Sequence, residues 1–203
     1  MRYWLALVGA LFVTDAALAQ VSPQEIAAAN RGIVTEQGRD AVWHYAQHRL
    51  LGSAINALKP QRPGVVDAYV VVAGLDSDPV FGREAAQTAK VLARRFDAVG
   101  RTIVLAAGNG AGDATIPDGS PANLEVALGA IAAKMDLKED VLILYTTSHG
   151  APEVGLAYRD GDHGYGWIGP RRLADLLNGA GISRRLVMLS ACFSGEMLPY
   201  LVN

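Results

Sequence analysis

From residue 65 onward, continuous apolar runs rich in β-branched residues alternate with stretches whose apolar positions recur every three or four residues. The runs at 65–73, 101–107, 141–148 and 185–191 predict strands, and 81–96, 121–135 and 171–177 predict helices. Ala85, Ala89, Leu92 and Phe96 share one face of the first of these helices. Ser120 stands at the start of the second, and Asn178-Gly179 ends the third. Leu156-Ala157-Tyr158 and Tyr165-Gly166-Trp167 flank Asp160-Gly161-Asp162-His163-Gly164, which predicts a hairpin with its turn. Strands without polar alternation, separated by amphipathic helices, imply a parallel sheet covered on both faces. The expected fold class is α/β, a three-layer sandwich.

The first 64 residues follow another pattern. Met1-Arg2, an apolar run from Leu5 to Val13 and the ending Ala17-Leu18-Ala19 describe a secretory signal peptide cleaved after Ala19. The run is too short to span a bilayer, which takes about 20 apolar residues. The mature chain is therefore expected to be exported, periplasmic or secreted, with no stable membrane anchor. Ser22-Pro23-Gln24-Glu25 is a strong helix start. Gly32 and Gly38 divide the region into two helices, the second over 40–58, and Lys59-Pro60-Gln61-Arg62-Pro63-Gly64 is a stop and a linker. Residues 20–64 fit a prosegment, a linker or a docking arm.

Composition narrows the field. The chain has 203 residues, 51% hydrophobic and 19% charged, enough to bury a core in one domain. A net charge of −2 lacks the basic excess of a nucleic-acid-binding surface. With one cysteine, Cys192, no intramolecular disulfide can form. An unpaired cysteine in an exported chain suggests a partner thiol or a thiol with a chemical role, while taken alone it reads as a small buried hydrophobe.

Open parallel sheets bind ligands beyond the carboxyl ends of their strands. Ser148-His149-Gly150 follows the third predicted strand and Ala191-Cys192-Phe193-Ser194-Gly195 the fourth. As neighbours about 4.8 Å apart, these strands would bring an imidazole and a thiol to one edge, the base and nucleophile of a cysteine hydrolase. The imidazole would hold the thiol as thiolate and later protonate the leaving amine. The backbone N–H groups of Gly150 and Cys192 would serve a developing oxyanion, and glycine at 150 would let a substrate carbonyl approach closely.

The run Leu142-Ile143-Leu144-Tyr145-Thr146-Thr147-Ser148-His149-Gly150, followed by Ser190-Ala191-Cys192-Phe193-Ser194-Gly195, resembles the legumain-type cysteine peptidases of the caspase-like group. The likeness covers residues 65 to 200 and is closest to bacterial members. It implies a caspase-like catalytic domain over 65–203, with Cys192 as nucleophile and His149 as general base and acid. No cofactor or metal is needed, and the partner is a peptide or protein substrate. The family places a basic residue after its first strand to help form the primary specificity pocket, and Arg83 matches that position. Eukaryotic members carry an acidic residue two before the nucleophile, where this chain has Ser190, so asparagine specificity does not carry over. The family also continues past the nucleophile with further strands, whereas this sequence stops soon after Cys192, as a truncated or abbreviated domain would.

Other signals point to less. His44 and His48 have the i, i+4 spacing of a metal pair, but Tyr45 stands where a metalloprotease has glutamate. Gly108-Asn109-Gly110-Ala111-Gly112 follows a strand without the third glycine of a dinucleotide loop. Asp160 to Gly164 lacks the glutamate of a calcium loop, and the hairpin turn takes His163 away from the strand ends. Besides an endopeptidase, the pattern admits a transpeptidase of the same family, a non-catalytic module of the same fold, and a flavodoxin-like binding protein.

Overall fold

The computed structural model describes residues 21–109 and 115–202. The expected signal peptide and much of the 108–112 segment lie outside the described residues. Four parallel strands form the central sheet: β2 (Ala68–Gly74), β3 (Thr102–Ala106), β4 (Val141–Thr147) and β8 (Arg185–Ser190), in the order β3-β2-β4-β8. β2, an unbroken apolar run, lies inside the sheet with every residue buried, as a strand covered on both faces requires. A second, antiparallel sheet has the order β1-β7-β6-β5, with β1 Val34–Glu36, β5 Gly150–Ala151, β6 Gly155–Asp160 and β7 Gly164–Ile168. β6 and β7 are the predicted hairpin.

Helices cover both faces of the parallel sheet. α3 (Pro79–Arg95) lies on one, where Ala85, Ala89 and Leu92 meet Val70, Val72 and Ile143. It begins two residues before the predicted start because Asp78 caps it and Pro79 suits its first turn. On the other face α2 (Ala41–Asn56), α4 (Pro121–Ala132) and α5 (Pro170–Gly179) bury the larger core, including Leu51, Leu124, Leu128, Leu144 and Leu173. The result is an α/β fold with the layers of a three-layer sandwich.

The N-terminal segment is built into this body. α1 (Pro23–Arg31) carries the expected capping box of Ser22 and Glu25 and packs on α5 and β7. Between the two helices lies β1, a strand the sequence reading did not predict, which pairs antiparallel with β7. Leu51 and Leu58 belong to the main core, and Arg39 forms a buried ion pair with Asp160 of the hairpin. No helix among the described residues is long and apolar enough to cross a membrane.

Beside that ion pair is a polar cavity of about 340 Å³, lined by Arg39, Trp43, Gln47, Asp118 and Asp160. Asp118 is buried. Burial raises its pKa above 3.8, and the Arg39 charge opposes only part of the rise. An acid that holds its proton more tightly when folded favours the folded state at low pH. That stability is complete below 3.8 and is lost as pH rises through the raised value. Asp118→Asn should therefore gain stability relative to the parent as pH moves from acid to neutral. Urea midpoints taken across that range check this, and a difference that stays constant with pH would contradict it.

Candidate active site

The carboxyl ends of β4 and β8 hold the site. The two strands pair in parallel with Thr147 opposite Ser190, and the Ser148 N–H donates to the Ser190 carbonyl at 3.2 Å. His149 and Cys192 each lie two residues beyond that last pair, at one edge of neighbouring strands, as the sequence reading expected. Both are exposed. The His149 ring stands edge-on to Phe81 of α3, with centroids 5.0 Å apart. No hydrogen bond joins the imidazole to the thiol among the described residues. Catalytic hydrogen bonds are often long before substrate binds.

Gly150 is required by a close approach, though a different one from that expected. A Cβ there would lie 2.1 Å from the Cys192 carbonyl oxygen and 3.2 Å from Cβ of Ala191. The neighbour is the backbone that carries the thiol. Gly150 pairs with Leu156 of β6, while the Ala157 N–H donates to the His149 carbonyl at 2.9 Å. In an antiparallel ladder this makes 150 a non-hydrogen-bonded position, so its N–H faces away from β6. Ser148 is buried, and its hydroxyl donates to the Ala157 carbonyl at 2.6 Å. The small sheet thus clamps the loop that carries His149.

Past β8 the chain turns sharply. Phe193 has φ 59°, a left-handed conformation that is uncommon for a bulky residue. The Ser194 N–H reaches the Ala191 carbonyl at 3.4 Å, and a 3-10 turn, Ser194–Met197, follows. Strain at Phe193, of order 1 kcal/mol, accompanies a turn that leaves Cys192 at its exposed bend. Nothing in the residue types announces this conformation.

Arg83 and Ser190 differ in their surroundings. Arg83 is exposed. It lies two residues, about 200° around the helix, from the fully buried Ala85, so it projects from the outward face of α3. Its neighbour Glu84 turns toward the sheet instead. The Glu84 carboxylate accepts hydrogen bonds from the Tyr145 hydroxyl, from Thr147 at 2.8 Å and from Ser190 at 3.3 Å. Burial pushes its pKa up, but the hydrogen bonds from Tyr145, Thr147 and Ser190 outweigh that and hold it below the usual 4.5. The sequence reading missed Glu84, although its helical phase, set against Ala85, Ala89 and Leu92, was available.

A cleft of about 720 Å³ adjoins His149 and runs along the hairpin past Asp76, Tyr158, Arg159, Tyr165 and Trp167. The loop after β2 is tied to its wall, since the Ser77 N–H donates to the Arg159 carbonyl and the Arg159 N–H to that of Leu75, each at 2.9 Å. His163 accompanies the hairpin turn, with Nδ1 3.2 Å from the Gln37 carbonyl oxygen. His44 and His48 line a separate cavity of about 260 Å³, and no set of three histidine, cysteine or carboxylate side chains suited to a metal occurs among the described residues. In comparisons with family models, curated proteins and solved structures, nothing matches this chain.

Proposed function

We propose that the chain is an exported cysteine endopeptidase of the legumain type, with a caspase-like catalytic domain. The thiolate of Cys192 attacks the scissile carbonyl carbon to give a tetrahedral oxyanion, with the Gly150 and Cys192 N–H groups as its donors. Protonated His149 then gives its proton to the departing amine, leaving a thioester on Cys192. Water, deprotonated by His149, attacks that thioester, releases the carboxylate product and restores the thiolate. The observation that carries this reading is the register of β4 and β8, which sets His149 and Cys192 equally far beyond the Thr147–Ser190 pair.

The strand order β3-β2-β4-β8 supports the caspase-like assignment, with the His-Gly and Ala-Cys motifs ending its last two members. In the legumain-type family further strands follow the nucleophile. The outer edge of β8, which pairs with β4 alone among the described residues, is where such strands would add. The test is a mixed peptide digest read by mass spectrometry. New termini should appear with the parent chain and be absent with Cys192→Ala. The same set of termini from both proteins would overturn the assignment. Adding a free amine distinguishes hydrolysis from transpeptidation, because only the latter yields ligated ends as the main product.

A further inference from the structure

We propose that Glu84 forms the floor of the primary specificity subsite and selects a lysine or arginine side chain on the acyl side of the cleaved bond. This rests on the peptidase reading above. Along a strand, side chains two apart share a face. Tyr145 and Thr147 of β4 pair with Met188 and Ser190 of β8, and the hydrogen bonds of Tyr145, Thr147 and Ser190 to Glu84 place them on the face that α3 covers. His149 reaches Phe81 on that same face, and Cys192 follows two residues after Ser190, in the turn past β8. Glu84 thus bonds the last residues of β4 and β8, each two residues, at most about 7 Å of chain, before a member of the proposed dyad. A side chain leaving a carbonyl held at Cys192 and running down past Ser190 would end at this carboxylate. Lysine and arginine have that reach, whereas asparagine and aspartate fall short.

The carboxylate's bonding favours a cation. Its Oε1 accepts from Tyr145 and Ser190, and its Oε2, among the described residues, from Thr147 alone. A carboxylate offers about four acceptor positions, so one remains on Oε2, together with the negative charge. An ammonium or guanidinium N–H supplies both the donor and the counter-charge. The half-buried setting of Glu84 weakens solvent screening of that pairing, and Arg83, on the outward face of α3, leaves the charge free for substrate. The acidic group that the sequence lacks at position 190 is thereby supplied from α3, through the hydroxyl of Ser190.

The experiment has two arms. In the first, peptides differing only by lysine or glutamine before the cut are compared. The parent should favour lysine by at least about tenfold in kcat/KM. Glu84→Gln should lower kcat/KM for the lysine peptide far more than for the glutamine peptide and so remove that preference, and Glu84→Asp should restore part of it. No lysine preference in the parent, or an equal fall for both peptides, would overturn the proposal. In the second arm Cys192 is modified with cationic 2-aminoethyl methanethiosulfonate and with neutral methyl methanethiosulfonate. The parent should favour the cation by about three- to tenfold at low salt, and Glu84→Gln should lose that bias. A ratio unchanged by the substitution would overturn the proposal. This arm needs no turnover, so a chain that cleaves neither peptide but keeps the bias separates failure of the peptidase reading from failure of the role of Glu84.

Discussion

Cys192→Ala should abolish peptide hydrolysis, and His149→Ala should lower kcat by about 10²–10⁴-fold, the usual contribution of a positioned general acid–base. The alanine at 192 removes the atom that forms the thioester. The alanine at 149 leaves the thiol in place but without a nearby proton acceptor, and the leaving amine without a donor. Both residues are exposed at strand ends, and neither belongs to either core cluster. Their loss should leave the unfolding free energy within about 0.5 kcal/mol of the parent, as for other surface substitutions. Kinetics on the cleaved peptide, with unfolding curves beside them, checks this. Retained activity in either variant would contradict the assignment of roles.

The second large effect is expected at Gly150. The Cβ of alanine there would sit 2.1 Å from the Cys192 carbonyl oxygen, far inside van der Waals contact. The obstacle is backbone, so no rotamer relieves it. Either the 149–151 segment leaves β6 or the turn carrying Cys192 moves outward. Gly150→Ala should cost about 1–3 kcal/mol, as overpacking does, and should separate His149 from Cys192. Gly179→Ala is the control, since a Cβ there meets nothing within 4 Å. Urea midpoints and peptide turnover for the two variants test the point. Equal behaviour of the two would show that the close approach does not matter.

The legible features were those whose cause is local. The run in β2 reads as a buried strand, and the Ser22 and Ser120 caps lie beside the helices they start. The strand-end positions of His149 and Cys192 followed from the same runs. β1 was missed because a three-residue strand has no periodicity to read, and its partner Gly166 is far away in the chain. The close approach at Gly150 was not legible because the atom it must admit, the Cys192 carbonyl oxygen, lies in the turn past β8. Glu84 went unnoticed because a carboxylate on an amphipathic helix ordinarily reads as part of its solvated face. Its three donors come from β4 and β8, which only the folded sheet brings beneath α3.

The most direct test is the rate at which iodoacetamide alkylates Cys192 as pH is varied, in the parent and in His149→Ala. Cys192 is the chain's sole cysteine, so the signal belongs to one thiol and no substrate need be known. A dyad predicts fast alkylation already near pH 6 in the parent, lost in the variant. A rate that rises only toward the ordinary thiol pKa of about 8.5, alike in both proteins, would contradict the account.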